Sequence, residues 1–160
     1  METRAAGIVL LLMIGLGACQ DRVHHSKNIH KQSFNTKNMN NLISIVEIPV
    51  TDFSRALKFY GSVLDVTIET TDMSGTQMGV VPAAEGAVNL ILVKGPDYNP
   101  SATGAIIYLQ AGADLQPVLR KVEAAGGKVM LPKTEISPEM GFFALFTDPE
   151  GNRLGLHSAN

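Results

Sequence analysis

One cysteine in 160 residues, Cys19, means that no internal disulfide can brace this chain. Whatever part of it folds must hold together by packing. Long hydrophobic runs are missing as well: the most apolar stretch, Ile8 to Leu16, is far shorter than the roughly 20 residues that a helix needs to cross a bilayer. Neither sign of charge dominates. With 13 basic and 15 acidic residues the formal net charge is −2, which leaves nothing to attract nucleic acid, and the charges are scattered rather than blocked, so there is no acidic tail or polybasic membrane patch. No Ser/His/Asp triad, Gly-rich phosphate loop or paired metal-binding cysteine motif is present either, which removes the commonest sequence-readable chemistries.

What the chain does have begins with an N-terminal signal. Arg4 precedes the apolar run, which reads as a secretory h-region, and Leu16-Gly17-Ala18-Cys19 follows it. Small residues before a sole cysteine resemble a bacterial lipobox, in which a peptidase cuts before the cysteine and its sulfur receives a lipid. The alternative is an ordinary cleaved signal with a chance cysteine. The expectation is a signal peptide over residues 1–18 and a lipid-anchored tether over 19–40, placing the protein in the bacterial cell envelope outside the cytoplasm. The tether is polar and without apolar periodicity, so it has too little apolar surface to order itself. His24, His25 and His30 fall there without rigid spacing and are read as solvated.

The folded unit is expected over residues 41–158, a common domain size. Its organising feature is a repeat: a strand, an aspartate and an amphipathic helix at Ile45 to Leu64, and again at Ile107 to Gly126. Overlaid, Ile45 meets Ile107, Asp52 meets Asp114, Phe53 meets Leu115 and Leu57 meets Leu119. Asp52 is placed to cap a helix buried through Phe53, Ala56, Leu57 and Tyr60. Strands are expected at 42–50, 66–70, 77–81 and 88–93, then a connector over 95–104. The second half repeats the plan, with strands at 106–110, 128–131, 142–147 and 153–157 and a helix over 115–125 stopped by Gly126-Gly127. Asp148-Pro149-Glu150-Gly151-Asn152 reads as a tight reversal. Two βαβββ units predict an α+β fold, a curved mixed sheet with helices outside and a concave face for a ligand.

At these residues the chain resembles a known family. Glu47-Ile48-Pro49-Val50-Thr51-Asp52 with Arg55-Ala56 and Lys58-Phe59-Tyr60, then Val122-Glu123-Ala124-Ala125-Gly126-Gly127, then Phe146-Thr147-Asp148-Pro149-Glu150-Gly151-Asn152 are similar to the vicinal oxygen chelate superfamily of glyoxalase I, bleomycin resistance proteins and extradiol dioxygenases. In metal-dependent members, the resemblance implies, His or Glu side chains from both halves hold a divalent cation that chelates vicinal oxygens. Here the corresponding places are expected to hold Ile45, Ile107 and Gly155, with Asn89 as the fourth. Two isoleucines and a glycine cannot ligate through side chains. No cofactor is therefore expected, a divalent metal at a displaced site being the alternative.

One strand repeat further along lie Glu47 and His157, which are expected to point inward and to meet across the sheet as a ligand-binding pair. The competing reading is a hydrogen-bonded pair at the pocket rim, or His157 fraying near the C-terminus with Glu47 salt-bridged to a neighbour. Asn89 is a third ligand-binding candidate, while Tyr108 is expected to pack under a helix. The polar run from Lys133 to Glu139 is either a lid or a solvated connection, and Met73, Met78, Met130 and Met140 either soften a pocket or fill core. Three functions compete: small-molecule binding without the usual metal, a metal-dependent lyase, isomerase or dioxygenase, and an envelope interaction protein with a vestigial pocket. The resemblance also implies a homodimer.

Overall fold

Asp52 begins the first helix. Its side chain accepts from the amide of Arg55 at 3.0 Å, satisfying one of the donors that a first turn leaves free. From there α1 (Phe53–Leu64) buries Ala56, Phe59, Tyr60 and Val63 along one stripe. The computed structural model describes residues 41–160; the stretches read as signal and tether, Cys19 included, lie outside the described residues.

Before α1 comes β1 (Ile45–Pro49), and after it β2 (Glu69–Met73), β3 (Thr76–Val80) and β4 (Asn89–Lys94). The second half repeats this order with β5 (Tyr108–Gln110), α2 (Gln116–Ala124), β6 (Lys128–Ser137), β7 (Gly141–Thr147) and β8 (Arg153–Ser158). The α+β plan of two βαβββ units is therefore present. The expected single curved sheet is resolved into two four-stranded mixed sheets of the same order, β1-β4-β3-β2 and β5-β8-β7-β6. In each, the first and last strands of the unit pair in parallel, which the intervening helix makes possible by carrying the chain back across the sheet.

A single core joins the halves. Ile48 and Leu92 of the first sheet, Ala144, Phe146, Leu154 and Leu156 of the second, and the inner stripes of both helices form one buried cluster. Burying each such side chain contributes roughly 1.5–3 kcal/mol. Phe59 is pivotal in it, standing edge-on to Tyr60 at 5.0 Å and lying 6.3 Å from the ring of Phe146. Gly127 makes that approach possible. A β-carbon there would sit 2.8 Å from Val122 Cγ1, 3.0 Å from Phe59 Cε2 and 3.0 Å from the carbonyl of Thr147, so the Gly126-Gly127 pair that stops α2 also clears a path for the Phe59 ring.

Three expectations need correction. The repeat slips by one residue in its strands: the amide of Asn89 donates to Ser44 and that of Gly155 to Ile107, and the facing pairs are Ile45 with Asn89 and Tyr108 with Gly155. Tyr108, not Ile107, is thus the structural counterpart of Ile45; the matching isoleucines misled because identity and register disagree by one residue, which reverses the facing of the strand. Tyr108 accordingly is not under a helix but 47% exposed on the opposite face, with Leu109 taking the buried place. The run from Lys133 is neither lid nor loop, since Lys133–Ser137 continues β6 against β7. Pro132, without an amide to donate, lies in one of the register shifts that let the strand run on, and the Ser137 hydroxyl accepts from the Met140 amide to turn the chain back.

Gly127→Ala is expected to destabilise the fold by about 1–3 kcal/mol, because one of the three atoms it meets is backbone and cannot rotate away. Urea denaturation followed by circular dichroism checks this; an unchanged midpoint would show that Phe59 does not need the gap.

Candidate functional site

The Asp148 to Asn152 segment, read from sequence as a reversal, is the hub of a hydrogen-bond network between the halves. Asp148 is 4% exposed. One of its oxygens accepts from the amides of Glu150 and Asn152 at 3.0 and 2.8 Å, and the other from the Tyr60 hydroxyl at 2.6 Å and the Asn152 side-chain amide at 2.9 Å. Burial, then the adjacent Asp148 carboxylate, pushes the Tyr60 phenol well above its ordinary range, so Tyr60 stays a donor. Asn152 is 7% exposed and ties three segments at once, donating also to the carbonyl of Pro49 at 2.8 Å and accepting from the amide of Ser101 at 3.0 Å.

Glu150 reaches in the other direction. Its side chain is fully covered and accepts from the Thr51 amide at 2.8 Å, the Thr51 hydroxyl at 2.7 Å and the Asp52 amide at 2.9 Å, while its second oxygen meets Arg55 Nε at 2.7 Å. Burial alone would raise its pKa. The Arg55 guanidinium and the donors of Asp52 and Thr51 outweigh that and hold the carboxyl down at about 2.

Beside this hub lies a cleft of about 220 Å³, at the seam where β1 faces the segment leading to β5 and the start of β8. Its apolar wall comes from Ile48, Pro49, Ala105, Ile107 and Leu154, and its polar groups from Glu47, Asn99, Ser101, Thr103, Asn152 and Arg153. Asn152 therefore belongs both to the buried network and to the cleft wall. The Glu47 carboxylate accepts from the Tyr98 hydroxyl at 3.0 Å, and that bond, more than desolvation, raises the pKa of Tyr98.

Of the residues expected to form the site, Glu47 and Ile107 line the cleft; Asn89, Gly155 and His157 do not. Glu47 and His157 do not meet, because β1 and β8 belong to different sheets and each side chain has another partner. His157 Nε2 donates to the Met140 carbonyl at 2.7 Å, which fixes the tautomer. Asn89 sits exposed at the start of β4, facing Ile45. The residues that reasoning from sequence missed are Tyr98, Ser101, Asn152 and Arg153. The first two lie in a connector that carried no periodic signal, and the others were absorbed into a turn and a strand end.

The metal implied by the resemblance can be tested against the donors present. With the slip corrected, the four equivalent strand positions are Ile45, Asn89, Tyr108 and Gly155, a hydrocarbon, an amide, a phenol and no side chain. The Tyr108 ring moreover occupies the space of a β-carbon on Gly155, which would overlap its Cδ1 and Cε1. Among the described residues no three His, Cys, Asp or Glu side chains gather closely enough to hold a cation. These residues do not fit a resident divalent metal.

Comparison with known proteins agrees with this frame. The family model of the Glyoxalase/Bleomycin resistance protein/Dioxygenase superfamily matches residues 42–156. The chain belongs to that superfamily. Similar solved structures include a glyoxalase I mutant from Zea mays at 21% identity and TM-score 0.59, covering 72% of this chain but 45% of the maize chain, so this protein spans less than half of that relative. Another is TnmS3, an antibiotic binding protein from Streptomyces sp. CB03234, at 23% identity and TM-score 0.55, covering 75% of this chain and 97% of the other. A third is a mutant fosfomycin resistance protein from Listeria monocytogenes, complexed with Mn(II) and a dihydroxypropylphosphonic acid, at 17% identity and TM-score 0.55, covering 76% and 91%. No curated protein matches the chain. At such identities the likeness to these superfamily structures is one of fold.

Glu150→Gln is expected to cost about 2 kcal/mol near neutral pH, the scale of a charge-assisted hydrogen bond lost from a covered site. The native carboxyl is depressed from 4.5 to about 2, so its contribution is full above pH 4.5 and disappears as pH falls through 2. The gap in stability between native protein and variant should close over that window in urea titrations. A gap that stays constant with pH would mean that the charge of Glu150 does not stabilise the fold.

Proposed function

We propose that this protein binds a small molecule in the seam cleft without a resident metal, and that a lipid on Cys19 anchors it at the bacterial envelope. The observation that carries the binding reading is the cleft itself: a wall with polar and apolar sides, one of whose members, Asn152, is locked by a buried network in which every polar atom is paired. Pre-set walls of this kind lower the ordering cost of binding. Its volume of about 220 Å³ is below the roughly 300–1,000 Å³ usual for drug-sized ligands, which favours a ligand of simple metabolite size. The donor set at Ile45, Asn89, Tyr108 and Gly155 argues against the metal-dependent lyase or dioxygenase reading. The fold likeness to an antibiotic binding protein, which extends over 97% of that chain, is in keeping with binding in place of catalysis.

The anchoring reading rests on Leu16-Gly17-Ala18-Cys19 following the apolar run. Exposed Ile45 and Tyr108 on the sheet faces are apolar surface of the kind a second copy covers, in support of the homodimer; sedimentation of the full chain measures it.

Two tests address this reading. Ala105 is exposed and lines the cleft, so Ala105→Phe should fill it at little cost to folding. Small molecules that raise the melting temperature of the native chain are expected to lose most of that effect in the variant; ligands that stabilise both equally would move the site elsewhere. Separately, Cys19→Ser should shift the protein from the membrane fraction to the soluble fraction of bacterial cells, and retention in the membrane would remove the lipid anchor.

A further inference from the structure

Two opposite charges line the seam cleft without meeting. Glu47 and Arg153 both face it, yet neither takes part in the ion pairs among the described residues, which join Arg55 to Glu150, Lys121 to Asp65 and Lys133 to Asp114. The two residues stand on strands of different sheets. Glu47 sits on β1 of the first sheet and is held by the Tyr98 hydroxyl at 3.0 Å. Arg153 sits at the start of β8 of the second sheet, its amide donating to Ser101 at 3.3 Å, next to Asn152, whose own bonds to Pro49 and Ser101 fix the spacing of the two strands. The accessible hydrocarbon of the cleft comes from Pro49, Ala105 and Ile107, Ile48 and Leu154 being core residues only 2% exposed.

We propose that the cleft recognises a dipolar molecule, one carrying an anionic group that pairs with Arg153, a cationic group that pairs with Glu47, and a small apolar body that packs on Pro49, Ala105 and Ile107. This rests on the reading of the seam cleft as a binding site and adds the class of ligand. Guanidinium and carboxylate suit complementary groups as charge-assisted partners. A ligand with only one charge would leave the other protein group facing it with no partner across the cleft, and complementarity of this sort sets specificity more than raw affinity.

Three isosteric probes isolate the two charges: leucine carries both, isocaproate lacks the amine and isoamylamine lacks the carboxylate. Their affinities for the full-length native chain and for Arg153→Gln, Glu47→Gln and Ala105→Phe are measured by NMR titration at one low salt concentration. Glu47 and Arg153 are both exposed, so neither substitution should impair folding. Leucine is expected to bind at least about tenfold more tightly than either half-probe. Arg153→Gln should reduce leucine to the affinity of isoamylamine, Glu47→Gln should reduce it to that of isocaproate, and Ala105→Phe should abolish all binding. If isocaproate or isoamylamine matches leucine while Ala105→Phe still blocks it, the dipolar class is overturned and the cleft stands. If the probes bind equally to Ala105→Phe, the cleft itself is overturned. No binding of leucine up to about 10 mM overturns the proposal of a dipolar ligand, while the melting-temperature test on Ala105→Phe continues to judge the cleft.

Discussion

The structure depends on how the loop between β7 and β8 is held against the start of α1. A carboxylate in water loses little by being left alone, but Glu150 is fully covered, and a covered charge is tolerable only when its lone pairs are occupied and an opposite charge is near. Arg55 Nε and the donors of Thr51 and Asp52 meet that demand. Asp148, four bonds deep in the same loop, meets it through Tyr60 and Asn152 and two backbone amides. Because Thr51, Asp52, Arg55 and Tyr60 belong to the first half of the chain, the loop can be satisfied only when both halves are assembled. The hydrophobic core draws the halves together without direction, and this network supplies the direction.

Duplication explains why so much of the fold was legible in the sequence. Helix α1 announced itself through Asp52, Ala56 and Tyr60, which behave as local rules predict, whereas Phe53 and Leu57 are only half-buried and Phe59 and Val63 complete the stripe. The strands of both halves stood where alternation and glycine punctuation placed them, within a few residues. The failures have physical causes. Ile107 matched Ile45 by identity, but strand facing has a period of two, so an error of one residue exchanges the inside for the outside. The stretch from Lys133 to Ser137 looked like a loop because it is polar and follows a proline, and an edge strand is the one place in a sheet where both are tolerated.

The site was less legible, for a different reason. Glu47 was found because it stands on a strand with a readable period. Tyr98 and Ser101 belong to a connector, and nothing local says that a connector will fold back over β1. Asn152 was hidden by its own motif: a turn explains an asparagine well enough that its two long-range bonds, to Pro49 and Ser101, go unsuspected. The pairing of Glu47 with His157 failed because facing inward is a property of each strand separately, whereas meeting depends on which sheet the strand joins.

Asn152 therefore couples stability to the shape of the seam cleft in a way that its neighbours do not. It is almost wholly buried, bonded to Asp148, Pro49 and Ser101, and still forms part of the cleft wall. Any change there alters the spacing of β1 against β8 as well as the surface of the cleft, so a variant at Asn152 cannot separate contact with the cleft from the packing that shapes it. Glu47, Ala105 and Arg153 face the same cleft from exposed positions and lie outside the bonds of Asp148. Side chains on the cleft can thus vary on this frame while the loop beneath them stays fixed, and the Tyr108 ring over Gly155 illustrates the same freedom: a place where the resemblance implies a metal ligand is given to an aromatic ring without disturbing the hydrogen bonds that align the sheets.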